Sequence, residues 1–157
     1  PLTNPAGATA QLLGVYDAKL TEMFAGVLKN MGTKRAFVVH GADGLDEVTI
    51  TGETRVAELK DGTIRTYNIS PKDFVGATYP LEAIRGGDPA VNARILTDVL
   101  SGAPGACRDV VLMNAALAIV AGEKATDIRE GVEIAADCID SGRAAKKLQA
   151  LIEMSNS

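Results

Sequence analysis

Residues 105–121 restrict the fold more than any other stretch. Apart from Arg108, Asp109 and Asn114 they are apolar or small throughout. A helix that is apolar nearly all round has to be buried nearly all round. The uninterrupted run at 110–122 includes Asn114 and is shorter than the ~20 residues needed to cross a bilayer. It therefore predicts a helix at the centre of a helical layer. The rest of the chain must supply the surfaces that cover it.

Those surfaces are legible in order. Leu20, Met23, Phe24, Val27, Leu28 and Met31 recur at i, i+3, i+4, i+7, i+8 and i+11, an amphipathic helical stripe. Gly32 then offers a left-handed cap. A short apolar run at 35–40 reads as a buried strand. Between 48 and 69 the texture is β, with strands expected at 48–50, 55–59 and 63–69. Asp61-Gly62 marks the hairpin turn between the last two. Ile64 and Ile69 fall out of strict alternation, which leaves room for a bulge or a twist. Ser70-Pro71 and Asp88-Pro89 pair an N-cap with a proline at the first helical position, and 76–87 reads as loop. Helices follow over 91–100, over 105–121, over 127–139 burying Ile128, Val132, Ala135 and Ile139, and from Arg143 burying Leu148, Leu151 and Ile152. Strands first and helices afterwards predict one mixed α/β unit with helices covering a sheet.

Composition excludes several classes. A chain of 157 residues, 46% apolar and 23% charged, has the balance of a single globular domain. A net charge of −4 without a basic stripe argues against a nucleic-acid surface. No membrane span and no secretory signal are visible. Cys107 and Cys138 lack metal-ligand spacing and read as reduced core thiols of a cytosolic protein. The chain starts at Pro1, without a methionine, inside what reads as a loop. Either a tag was removed or this is a piece of something longer.

The chemistry centres on residues 40–47, His-Gly-Ala-Asp-Gly-Leu-Asp-Glu. Open α/β sheets bind ligands just beyond the carboxyl ends of their strands, and this glycine-punctuated loop follows the apolar strand at 35–40. Asp46 and Glu47, adjacent acids at its end, have the look of a seat for hydrated Mg²⁺ on a phosphorylated substrate. Mg²⁺ keeps several waters and is commonly held by one or two carboxylates plus substrate phosphates. The plain alternative is a turn acid beside a solvated strand acid. His40, the only histidine, could serve as acid, base or ligand, or as a hydrogen-bonded residue closing a strand. Arg85-Gly86-Gly87-Asp88 could hold an anion at a helix N-terminus, but reads as well as a helix-opening turn. Asn114 is expected to be a satisfied amide bridging to a loop.

Four stretches together resemble anthranilate phosphoribosyltransferase. They are Pro-Leu-Thr-Asn-Pro-Ala-Gly at 1–7, the 40–47 loop, Arg85-Gly86-Gly87-Asp88 with Asn92, and Leu-Met-Asn-Ala-Ala at 112–116. The resemblance runs in order from Pro1 to about Leu151. It implies transfer of phosphoribose from phosphoribosyl pyrophosphate to the amino group of anthranilate, a step of tryptophan biosynthesis in the cytoplasm. It also implies the α/β part of the nucleoside phosphorylase/phosphoribosyltransferase fold. Residues 1–157 would be the carboxyl-terminal part of that catalytic domain, with the helical N-terminal domain missing. Asp46 and Glu47 match the acids that bind Mg²⁺, and Pro1 matches a proline lining the anthranilate pocket. A homodimer is implied for the full-length enzyme. The family's Gly-Thr-Gly-Gly-Asp loop and Lys-His-Gly-Asn segment are not in these residues, so the chain alone is expected to be inactive. A pyrimidine nucleoside phosphorylase and a non-catalytic nucleic-acid-binding paralogue are the alternatives.

Overall fold

Both faces of one strand decide the layering. In the computed structural model, which describes residue 2 and residues 5–156, strand β2 spans Arg35–Gly41. Ala36, Phe37, Val38 and Val39 are all buried, so the strand needs cover on each side. Phe37 and Val39 point to one core with Met113, Leu117 and Val120. Ala36 and Val38 point to another with Ala25 and Leu28. Each fully buried Val or Leu contributes about 1.5–3 kcal/mol of transfer free energy, so the two cores fix the strand between a helix on each face.

The sheet has four strands in the order β1-β2-β3-β4. Strand β1 (Ala10–Gly14) runs parallel to β2 and is joined to it through helix α1 (Leu20–Asn30). Strands β3 (Thr54–Lys60) and β4 (Thr63–Ile69) continue antiparallel, closed by the expected hairpin with Asp61 at φ 49° and Gly62 at φ 74°. Two positive φ values in succession are what such a two-residue turn requires. The ladder from Thr54↔Ile69 to Lys60↔Thr63 has no break. Ile64 and Ile69 are out of phase because they serve different cores, Ile64 on the α1 side and Ile69 on the other.

Helices α2 (Pro89–Leu100), α3 (Ala106–Ala121), α4 (Ile128–Asp140) and α5 (Arg143–Ser155) follow. The α/β architecture with helices covering a mixed sheet is the one expected. Asp88 caps α2 by accepting from the Val91 N–H at 2.9 Å, with Pro89 at the first position. Helix α3 lies on the sheet as its composition requires, burying Leu112, Met113, Ala116, Leu117, Val120 and Ala121.

Several details differ from the sequence reading. Strand β1 is additional. Residues 48–50 are buried but do not pair as a strand; Val48 and Thr49 bond to side chains and Ile50 O accepts from Tyr79 N–H. A 3₁₀ turn occupies Leu81–Ile84 within the expected loop. Helix α1 buries Thr21, Ala25 and Leu28, while Met23 and Met31 are half exposed. Thr21 tolerates burial because its hydroxyl donates to Ala18 O at 2.8 Å, and Ala25 lets the helix approach the sheet closely. Helix α5 buries no residue, with Leu151 and Ile152 facing out and Leu148 half-buried. Cys107 and Cys138 are free thiols at half-buried positions, not core residues. Among the described residues no helix is long and apolar enough to cross a membrane.

Gly131 is where α4 meets α3: a β-carbon there would lie 2.8 Å from Ala116 O and 3.1 Å from Ala116 Cα. Because the obstacle is helix backbone, a side chain can enter only by separating the helices. Gly131→Val is expected to lower stability by about 1–3 kcal/mol, read as a lower urea midpoint. An unchanged midpoint would show that the α3–α4 contact is looser than described.

Candidate functional site

The parallel pairing of β1 with β2 puts their carboxyl ends, Gly14 and Gly41, on one side of the sheet. The 42–53 loop leaves β2 there and folds back toward the sheet. Its second half is sunk into the core, with Val48, Thr49 and Ile50 fully buried. Buried backbone groups need partners, and α3 supplies them. Asn114 Oδ1 accepts from Val48 N–H at 2.9 Å, and Asn114 Nδ2 donates to Val48 O and Val110 O at 2.9 Å each. This is the bridging amide expected from the sequence, made to the acid loop. Thr49 N–H donates to Thr54 Oγ1 at 3.0 Å, and Tyr79 N–H to Ile50 O at 3.0 Å.

The first half of the loop is organised by Asp43. Its carboxylate accepts from Thr49 Oγ1 at 2.6 Å, Thr51 Oγ1 at 2.8 Å and the Leu45 N–H at 3.2 Å. Burial alone would raise the Asp43 pKa, but these hydrogen bonds outweigh it and hold the carboxyl below the ordinary aspartate value of 3.8. Gly41 makes room for this cluster, since a β-carbon there would meet Asp43 Oδ1 at 2.6 Å and Thr49 Cβ at 2.9 Å.

Asp46 and Glu47 stand on the tip of this braced loop, both exposed. Neither carboxylate has a side-chain hydrogen bond or ion pair among the described residues. Two unpaired hard-oxygen groups suit a hydrated cation that brings most of its own ligands. No group of three or more His, Cys, Asp or Glu is placed to hold a metal among the described residues. The donor set thus fits Mg²⁺ shared with water and a phosphate, not an all-protein cage.

The other sequence candidates fall as follows. His40 Nδ1 lies 2.8 Å from Val15 O. A carbonyl only accepts, so Nδ1 carries a proton and donates it to Val15 O. Here His40 ties the end of β1 to β2, the strand-closing role. Arg85 is exposed and shares a hollow of ≈ 240 Å³ with Leu45 of the acid loop, Leu81, Glu82 and Ile84. The following turn is occupied by Asn92, whose Oδ1 accepts from Gly87 N–H at 2.8 Å and whose Nδ2 donates to Gly87 O at 3.0 Å. Asn92 therefore shapes the turn that delivers Arg85. Pro1, with Thr3 and Asn4, lies outside the described residues; Leu2 beside it packs against the Val15–Leu28 core. A second hollow of ≈ 370 Å³, lined by Arg35, Phe37, Tyr67 and Phe74, opens away from the acids toward the amino end of β2. Burial and the neighbouring Glu58 push the Tyr67 hydroxyl well above its usual value there.

Gly14, Asp43, Thr49 and Thr51 escaped the sequence reading as site residues. A glycine inside a strand is a signal of close backbone approach, but β1 itself was not visible. Asp43 stood within the quoted motif, where nothing separated it from an ordinary turn acid.

An α/β unit with helices on both faces of its sheet, whose acids crown the carboxyl ends of parallel strands, defines a class. Residues 1–145 match the glycosyl transferase family, a/b domain, and the chain belongs to that family. Its curated relatives at about 50% identity are anthranilate phosphoribosyltransferases. The enzyme of that name from Geobacter sulfurreducens is 54% identical over 99% of this chain, and the one from Symbiobacterium thermophilum 53% over 99%. The chain spans 45% and 46% of the lengths of those two relatives. The crystal structure of anthranilate phosphoribosyltransferase from Thermus thermophilus superposes with a TM-score of 0.90 at 36% identity, covering 100% of this chain and 46% of that one. The Saccharomyces cerevisiae enzyme in complex with PRPP and Mg superposes at 0.81 with 30% identity, over 92% of this chain and 42% of that one.

The Asp43 cluster carries a pH signature. A carboxyl whose folded pKa lies below its unfolded value contributes stability that is fully present above the unfolded value, near 3.8, and is lost as pH falls through the lower folded value. Stability of the chain is therefore expected to fall below pH 3.8, and more steeply than that of Asp43→Asn, when urea midpoints are compared from pH 6 to pH 2.5. Parallel curves for the two proteins would remove the role given to Asp43.

Proposed function

We propose that this chain carries the acidic half of an anthranilate phosphoribosyltransferase site, with Asp46 and Glu47 as the Mg²⁺ ligands that receive phosphoribosyl pyrophosphate. The observation that carries the reading is the contrast within one loop. The loop is anchored through the Asp43 side chain and the N–H groups of Val48 and Thr49, while Asp46 and Glu47 at its tip are exposed and unpaired among the described residues. A loop so braced is pre-organised, which is how a binding site avoids the entropy cost of ordering when the ligand arrives. The names of the relatives supply the substrates: the yeast enzyme is described with PRPP and Mg, and separately with 4-fluoroanthranilate.

Phosphoribosyl transfer breaks the bond from the ribose carbon to pyrophosphate and forms one to the aniline nitrogen. Negative charge builds on the leaving pyrophosphate and positive charge at the ribose carbon. Bound Mg²⁺ would supply electrostatic stabilisation of that leaving group. Asp46 and Glu47 would hold the cation at the carboxyl ends of β1 and β2. Asp43 and Asn114 would keep the two acids in register with the sheet. Arg85, beside Leu45, is a cation within the same neighbourhood for a phosphate oxygen. The free aniline nitrogen is already a nucleophile, so positioning contributes more than proton abstraction, and no general base is assigned. Pro1 as part of the anthranilate pocket, the homodimer and a cytoplasmic setting rest on the resemblance.

In a protein of the relatives' length that carries this chain, Asp46→Asn with Glu47→Gln is expected to lower activity by roughly 10²–10³-fold, the scale of losing a pre-organised electrostatic partner. Because both acids are exposed, stability should stay within about ±0.5 kcal/mol. The assay follows loss of anthranilate fluorescence with phosphoribosyl pyrophosphate and Mg²⁺. Near-normal rates would remove the metal role. Phosphorolysis of thymidine would move the reading to the nucleoside phosphorylases, and robust turnover by the 157 residues alone would overturn the view that they carry half a site.

A further inference from the structure

We infer that Gly14, the last residue of β1, is a positioning residue for the acid pair, with His40 as its support. The inference rests on Asp46 and Glu47 being metal ligands. A β-carbon built on Gly14 falls 1.4 Å from Asp46 O, 2.4 Å from Asp46 C and 3.3 Å from Asp46 Cα. No other described glycine has so short an approach; the next is 2.5 Å at Gly86, against the side chain of Asn92. The obstacle at Gly14 is backbone, which cannot rotate away. Gly14 is also absent from the residues with positive φ, so glycine is not there for its conformational freedom. It is there for space: the Asp46 peptide occupies the place of a side chain at the mouth of β1. Glycine within a strand weakens it unless another backbone approaches closely, and here one does.

The surface on which Asp46 rests is itself fixed. Val15 N–H donates to Val39 O at 3.0 Å, carrying the β1–β2 ladder one residue past Gly14. His40 Nδ1–H donates to Val15 O at 2.8 Å from the same strand as Val39. On the far side of the loop stands the Asp43 cluster. The Asp46 peptide passes against Gly14, and the side chain of Asp43 braces the same loop. Lengthening the 1.4 Å separation to the 3.4 Å of ordinary contact would move the Asp46 carbonyl by about 2 Å. Shifts of that size at groups orienting a metal or substrate are costly, because positioning is the contribution they make.

The test measures Mn²⁺ affinity of the chain by electron paramagnetic resonance, with far-UV circular dichroism as the check on folding. Gly14→Ala is compared with Gly26→Ala, a helical position where a β-carbon meets nothing within 4 Å. Gly14→Ala is expected to weaken Mn²⁺ binding by roughly tenfold or more, while Gly26→Ala leaves it unchanged. In a protein of the relatives' length, Gly14→Ala should raise the apparent KM for phosphoribosyl pyrophosphate with Mg²⁺ and leave the KM for anthranilate near its original value. A folded Gly14→Ala protein with undiminished Mn²⁺ affinity overturns the inference. If Gly14→Ala does not fold, His40→Ala decides: weakened Mn²⁺ binding supports the clamp and unchanged binding overturns it. The double variant Asp46→Asn, Glu47→Gln separates the two layers. Retained affinity there overturns the metal reading and the role of Gly14 with it. Lost affinity there with retained affinity in Gly14→Ala overturns the role of Gly14 alone.

Discussion

One side chain joins the helical layer to the acid loop. Asn114, half-buried in α3, takes both backbone groups of Val48 and returns a third hydrogen bond to its own helix at Val110 O. Without it, a fully buried peptide would lose its partners, at about 1–3 kcal/mol for each orphaned group. The loop could then no longer dip into the core at Val48 and Ile50. Its tip, and the two acids on it, would lose their fixed relation to the sheet. The apolar character of α3 is therefore only half of what that helix contributes; its single amide sets where the acid loop stands.

The anchors around the tip divide the work. Asp43 ties the loop to itself through two threonine hydroxyls and one backbone N–H, a local closure that the hydrogen bonds of an ionised carboxylate strengthen. His40 ties β2 to Val15 at the end of β1, and Gly14 leaves room there for the Asp46 peptide. Asn92 shapes the neighbouring turn at Gly87 and so sets Arg85 near Leu45. The result is a rigid base under exposed acids. That arrangement suits a site completed by a ligand carrying its own charge and water, and the relatives' complex with PRPP and Mg is consistent with it.

Much of this was readable from the sequence where one signal dominated. The run of buried residues in β2, the Asp-Gly hairpin, the Asp88-Pro89 cap and the nearly all-apolar α3 each have a single local cause. Asn114 was readable for the same reason, as a lone amide in an apolar helix. Strand β1 was not, because Ala10–Gly14 is half-buried throughout and shows neither alternation nor a solid apolar run. Residues 48–50 have strand composition, yet Asn114 and Thr54 take the hydrogen bonds a neighbouring strand would have made. In α1 the helical period was right and the face was turned, since a satisfied Thr21 and a small Ala25 pack better than Met23 and Met31. Helix α5 shows that a periodic stripe ensures an amphipathic helix, not a buried one. The roles of Gly14 and Asp43 depend on contacts across the 42–53 loop, which no local pattern encodes.

The most direct test of the central claim is paramagnetic broadening of backbone amide signals during titration of the chain with Mn²⁺, a cation of the same oxygen-ligand preference as Mg²⁺. Binding at the braced acid tip predicts that signals from residues 44–48 and from Gly14 and Val15 broaden first and together. Those from the last helical residues of α4, Asp137–Asp140, and from α5 should persist. Uniform broadening, or broadening that begins at other acidic residues, would contradict the account.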